Sequence, residues 1–173
     1  MKRSIVLTGF MGTGKTQVGK ILSKKLKLNF FDTDGLIEEK IGLQISDIFK
    51  KFGENSFRQM EADIVKEISK TDTAVISCGG GTVLNKENIA ILQEKGIVVN
   101  LYASTKVIYE RIKNNSDRPM LKCQNSLIKI EELLQIRKEA YANCDFSFNT
   151  DEFSILEVVS GLINKLNRFG FVI

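Results

Sequence analysis

The chain has 173 residues, about what one domain takes, with 43% hydrophobic and 27% charged residues, a balance too apolar for disorder. Its 25 basic and 21 acidic residues give a net charge of +4, and the basic ones form no run, which argues against nucleic acid as a partner. There is no histidine, the three cysteines have no metal-ligand spacing, and no stretch approaches the roughly 20 apolar residues of a membrane span, so zinc chemistry and a membrane partner are excluded.

Ser4 to Thr8 is β-branched and apolar and reads as a buried strand. It runs into Gly9-Phe10-Met11-Gly12-Thr13-Gly14-Lys15-Thr16, which fits the phosphate-binding loop pattern G-x-x-x-x-G-K-[ST] at every constrained position. Val18, Ile21, Leu22 and Leu26 then recur at helical spacing, so the glycines lie between a strand and a helix, as that loop requires. Gly12, Thr13 and Gly14 would present backbone N–H groups to phosphates, Lys15 would reach the β- and γ-phosphates, and the Thr16 hydroxyl would ligate Mg²⁺. The run after Met1-Lys2-Arg3 is too short for a signal peptide, and with unpaired thiols a cytoplasmic location is expected.

Asn29 to Asp32 reads as a second strand ending at Asp32-Thr33-Asp34. If the segment stays extended, alternation aims Asp32 and Asp34 the same way, at the sheet edge that carries the phosphate loop. The alternative is that Asp34 caps the helix beginning near Leu36. From there to about Ser69 the pattern is helical, broken near Gly42 and Gly53, with Phe57, Met60, Ile64, Val65 and Ile68 as its second apolar stripe. Arg58 and Glu61, three apart, form either a surface ion pair or part of a site.

Ala74 to Ser77 gives a third strand, followed by Cys78-Gly79-Gly80-Gly81-Thr82, where glycines free to adopt positive φ suggest backbone approaching a ligand. A helix over Lys86 to Glu94 and a strand over Ile97 to Tyr102 follow. The next helix turns Val107, Ile108 and Ile112 inward and leaves Arg111 near its end. Residues 114 to 126 lose the pattern and read as an exposed loop, in which Arg118 is either a lid charge or a solvated arginine beside Pro119. Lys129 to Ala142 reads as one helix with Arg137 and Tyr141 on one face, Phe146 to Asn149 as a fifth strand, and Ile155 to Asn167 as a helix with the stripe Leu156, Val159, Leu162, Ile163 and Leu166. Strands alternating with helices imply an α/β domain with a mostly parallel sheet.

Taken together, the P-loop, Asp32-Thr33-Asp34, Phe57-Arg58-Gln59-Met60-Glu61, Gly79-Gly80-Gly81, Arg118-Pro119-Met120-Leu121 and the Arg137, Tyr141 pair resemble the shikimate kinase family over almost the whole chain. The resemblance implies a three-layer α/β/α P-loop kinase fold in one domain. It has a central five-stranded parallel sheet, a helical substrate-binding segment at about 33–61 and a lid at about 114–126. It also implies transfer of the γ-phosphoryl of ATP to the 3-hydroxyl of shikimate, on the route to chorismate and aromatic amino acids.

Carried over residue by residue, the resemblance makes Lys15, Asp34 and Arg118 catalytic. Gly12, Thr13, Gly14, Lys15, Thr16, Arg111 and Arg118 bind ATP. Asp34, Arg58, Gly80 and Arg137 bind shikimate, and Thr16 and Asp32 hold Mg²⁺, Asp32 directly or through water. Glu61 orients Arg58. Two departures stand out: Met120 where the family commonly has leucine, and Ser77-Cys78 ending the third strand without an aspartate, which leaves Asp32 as the carboxylate for the metal. A monomer is expected, since no exposed apolar stripe demands a partner. The alternatives are another small-molecule P-loop kinase, such as one acting on gluconate, or a catalytically silent nucleotide-binding module.

Overall fold

The computed structural model describes residues 4–113 and 126–171. The lid expectation and Arg118 therefore lie outside the described residues.

Five parallel strands form the central sheet: β1 (Ser4–Thr8), β2 (Asn29–Asp32), β3 (Ala74–Ser77), β4 (Gly96–Tyr102) and β5 (Phe146–Asn149). Their spatial order is β2-β3-β1-β4-β5, with every pairing parallel. Of the three strands flanked on both sides, β1 and β3 are short runs rich in Val, Ile and Leu and buried throughout, and β4 is buried up to Tyr102, as a sheet covered on both faces requires. Register puts Leu7 opposite Ser77, Ser77 opposite Asp32 and Thr8 opposite Asn100, so the strands deliver Gly9, Cys78 and Asp32 to one carboxyl edge.

Helices cover both faces. On one, α1 (Lys15–Leu26) and α8 (Ile155–Arg168) pack Val18, Leu22, Val159 and Leu162 against Ile5, Leu7, Val75 and Val99. On the other, α2 (Thr33–Ile41), α3 (Ile45–Ser69) and α4 (Lys86–Lys95) bring Ile37, Ile48, Phe57, Ile64, Val65 and Leu92 onto Val6, Ile76 and Val98. A third cluster joins Phe10 and Val83 to α5 (Thr105–Ile112), α6 (Ser126–Ile136) and Tyr141 of α7 (Lys138–Ala142). No helix among the described residues is long and apolar enough to cross a membrane.

Several expectations change. The segment after β2 does not stay extended: helix α2 starts at Thr33, and Asp32, not Asp34, is its N-cap, accepting from the Gly35 N–H at 3.3 Å. A short polar side chain next to a free first-turn N–H outcompetes continuation of the strand. The stretch expected as one helix over Lys129 to Ala142 begins at Ser126 and breaks at Arg137 (φ −97°, ψ 2°). In α8 Val159, Leu162 and Leu166 face inward as expected, Val158 joins them, Ile163 is half-buried, and Leu156, in the first turn beside the Ser154 capping box, is exposed. The breaks at Gly42 (φ 72°) and Gly53 (φ 79°, ψ 172°) fall where the sequence puts them.

Candidate active site

The loop from Gly9 to Gly14 follows β1 and has positive φ at Gly9 (137°), Gly12 (79°) and Gly14 (91°), conformations that cost a residue with a Cβ. A Cβ at Gly12 would also meet Ile112 Cγ2 at 2.8 Å, so α5 backs the loop closely. The Thr13 side chain donates to Phe10 O at 2.8 Å and bolts the loop shut. Gly14 in the left-handed region starts α1, whose first turn holds no acidic residue; its N–H groups face the loop and favour an anion. Lys15 is buried and its Nζ donates to Phe10 O at 2.9 Å, which holds the ammonium at the loop.

Beside it the Thr16 hydroxyl donates to Asp32 Oδ2 at 2.7 Å, while Asp32 Oδ1 caps α2. Sixteen residues apart in the chain, the two meet because β2 and α1 share this edge. Among the described residues no group of three or more His, Cys, Asp or Glu could hold a metal. A hydroxyl and one carboxylate suit Mg²⁺, which binds through few protein oxygens and keeps waters and phosphates as its other ligands.

Arg111 joins the loop from the far side, donating to Gly12 O at 3.3 Å and to Thr150 Oγ1 at 3.0 Å. It links α5, the phosphate loop and the turn after β5.

Across the edge, the Gly79-Gly80-Gly81 turn receives three charged side chains. None of these glycines has positive φ, contrary to expectation. They are small because side chains lie on them: a Cβ at Gly79 would overlap the Asp34 carboxylate, and one at Gly81 would overlap the Arg58 guanidinium. Gly80 has room for a Cβ, which would sit 3.6 Å from Met11 N and 3.9 Å from Tyr141 Oη, between the phosphate loop and α7.

Arg58 is held by two carboxylates, Glu61, which is only 1% exposed, and Glu54 at 3.0 Å. The burial of Glu61 removes the surface-pair alternative. Burial works to depress the Arg58 pKa, but the two carboxylates outweigh it and raise the value, so the guanidinium stays charged. Glu61 also accepts from Thr82 Oγ1 at 2.9 Å, which leaves it fixed at both ends.

Arg137, at the break between α6 and α7, is 8% exposed. Its Nη1 donates to Gly80 O at 3.4 Å and its guanidinium lies 5.8 Å from the centre of the Phe10 ring. Among the described residues it makes no ion pair. A buried cation whose partners are a carbonyl, the Tyr141 hydroxyl and an aromatic face keeps donors that an anion could take.

The charged groups converge on Cys78, whose thiol is fully buried. Burial pushes its pKa well up, Lys15 pulls it down, and Glu61, Asp32 and Asp34 push it up further. The thiol is therefore a neutral group within electrostatic reach of Lys15, Asp32, Asp34 and Glu61, a position that the sequence signals only by preceding the glycines. Thr33, fully buried between the two aspartates, is likewise marked by nothing but its place in Asp-Thr-Asp.

Comparison with known proteins places this geometry. The family profile described as shikimate kinase matches residues 11–167. The chain belongs to the shikimate kinase family. The shikimate kinase of Thermodesulfovibrio yellowstonii is 44% identical over 168 residues, covering 97% of each chain. The solved structure of a shikimate kinase from Acinetobacter baumannii in complex with shikimate superimposes with a TM-score of 0.93 at 31% identity, over 97% of this chain and 94% of that one. A gluconokinase from Sinorhizobium meliloti reaches only 0.59 at 19% identity, over 97% of this chain and 93% of that one, a likeness of fold alone. Shikimate kinases use ATP, and the five-stranded parallel sheet with helices on both faces is the fold of the family.

Proposed function

We propose that the chain is an ATP-dependent shikimate kinase that forms 3-phosphoshikimate and ADP. The observation that carries this reading is the buried Arg137, set on the glycine turn that also seats Arg58 and Asp34. Shikimate is a ring with one carboxylate and three hydroxyls. Two guanidinium groups suit the first and a carboxylate acceptor suits the second.

In this reading the P-loop N–H groups and Lys15 hold the β- and γ-phosphates, with Lys15 Nζ exchanging Phe10 O for phosphate oxygen. Thr16 and Asp32 hold Mg²⁺, which when bound neutralises charge on the β- and γ-phosphate oxygens. Arg111 flanks the nucleotide from α5. Arg58 and Arg137 grip the substrate carboxylate, and Gly80 presents its backbone to the ring. Asp34 orients the 3-hydroxyl and accepts its proton as the new O–P bond forms and the bond from Pγ to the ADP oxygen breaks. Phosphoryl transfer asks mainly for positioning and charge, so a site without histidine suffices. Arg118 is assigned to the transferring phosphoryl by family resemblance, within a lid at about 114–126, and the acceptor segment is about 33–61 of a single domain. The chain is taken to act as a cytoplasmic monomer. Cys78 and Cys144 are free thiols, as a reducing compartment allows.

A coupled ADP-release assay over an acceptor panel tests the assignment. Mg²⁺-dependent turnover with shikimate and little with gluconate is expected; turnover with gluconate alone, or with no acceptor, overturns it.

A further inference from the structure

The turn from Gly79 to Thr82 is tied to four different elements. The Gly79 N–H donates to Thr33 Oγ1 at 2.8 Å, from the first residue of α2. Gly80 O accepts from Tyr141 Oη at 2.6 Å, from α7. Thr82 Oγ1 donates to Glu61 on α3, and Asn88 of α4 donates to Thr82 O at 3.3 Å. The turn closes on itself through the Thr82 N–H to Gly79 O, at 3.1 Å.

Three charged groups of the site lie against this turn: Asp34 over Gly79, Arg58 over Gly81, and Arg137 donating to Gly80 O. We infer that Thr33 and Tyr141 are positioning residues, whose hydroxyls pin Gly79 and Gly80 from opposite sides so that Asp34 and the two arginines share one reference. The inference rests on the shikimate kinase reading. Both hydroxyls are buried, Thr33 at 0% and Tyr141 at 7% exposure, so a lost partner is not replaced from bulk solvent. Thr33→Val keeps the volume but leaves the Gly79 N–H with no acceptor at its 2.8 Å position. The turn must then shift to find another, and Asp34, the next residue along from position 33, shifts relative to it. Tyr141→Phe removes the shorter of the two bonds to the Gly80 carbonyl and leaves it with Arg137 Nη1 at 3.4 Å. The P-loop has a closing bond of its own, Thr13 to Phe10 O, and none of the hydrogen bonds described for the turn's glycines runs to it, so the shift should reach nucleotide binding less than acceptor binding.

The test is steady-state kinetics on the full chain for Thr33→Val, Thr33→Ser, Tyr141→Phe and the Thr33→Val/Tyr141→Phe double variant, with shikimate and ATP varied separately. Each of the two deletions is expected to lower kcat/KM for shikimate about ten-fold, the size of one lost buried hydrogen bond, with the KM for ATP within about two-fold. Thr33→Ser, which keeps the oxygen, should recover most of the loss. The double variant should lose less than the product of the singles, because both act on one turn. Shikimate kcat/KM within about two-fold of wild type in both deletions, a parallel rise in the KM for ATP, or no recovery with serine overturns the inference. If Thr33→Val does not fold, Tyr141→Phe, which removes a single oxygen, is judged by the same criterion. Wild-type protein that fails to phosphorylate shikimate would instead overturn the functional reading, and this inference with it.

Discussion

The two halves of the site are built from different materials. On the side assigned to the nucleotide the backbone would do most of the recognition: Gly9, Gly12 and Gly14 take positive φ, which suits N–H groups and a helix N-terminus to an anion. On the side assigned to the acceptor the backbone is ordinary, and recognition would fall mainly to side chains. There Gly79 and Gly81 are small only to make room for Asp34 and Arg58. The same residue type thus serves conformation in one half and volume in the other. The halves meet at Cys78 and Gly80, and substitutions should separate them.

The largest effect is expected at Lys15. Lys15→Met removes a charge from the phosphate site and should lower kcat about 10²–10³-fold. Loss of shikimate affinity on the same scale would break the division. Asp34→Asn should lower kcat by about 10²-fold, the lower end for a proton-accepting group, with the KM for ATP unchanged. An equal loss in ATP affinity would move Asp34 to the nucleotide half.

Arg137→Ala deletes a charge-assisted contact worth about 1.5–3 kcal/mol and should raise the shikimate KM by about ten-fold or more. An unaltered KM would make the buried guanidinium a structural group. The two kinds of glycine give a finer comparison. Gly12→Ala strains a φ of 79° and crowds Ile112, so the KM for ATP should rise. Gly81→Ala keeps an ordinary φ of −105° but displaces Arg58, so the shikimate KM alone should rise. If both raised the same KM, the contrast between backbone and side-chain recognition would fail.

The smallest effect concerns pH. Burial raises the Tyr141 pKa above its ordinary value of 10.0, with Arg137 and Arg58 pulling the other way. The fold therefore favours the neutral hydroxyl. That contribution is complete below pH 10, the unfolded value, and is lost as pH rises through the higher folded one. Tm measured from pH 9 to 11 should fall less steeply in Tyr141→Phe than in wild type, by about a degree or two.

The same contrast explains what was legible in the sequence. A site made by backbone is local: the glycine spacing, Lys15 and Thr16 specify it within eight residues. A side-chain site needs partners far apart, and Arg58 and Arg137 are 79 positions apart, so only the combined family pattern brought them together. The parallel sheet followed from strand and helix alternation, and its strands fell close to their expected bounds. Periodicity misjudged places where one polar contact decides. The Asp32 cap starts α2 at Thr33, where an extended segment is one of the two expectations. Thr33 and Cys78 carry no signature because their roles arise only from what surrounds them.

The division itself is tested most directly by calorimetric titration of MgATP and shikimate, each alone, into Lys15→Met and Arg137→Ala. A crossed result is expected. Lys15→Met should lose most of its nucleotide affinity and keep shikimate binding, and Arg137→Ala should do the reverse. Both variants losing both ligands together would contradict it.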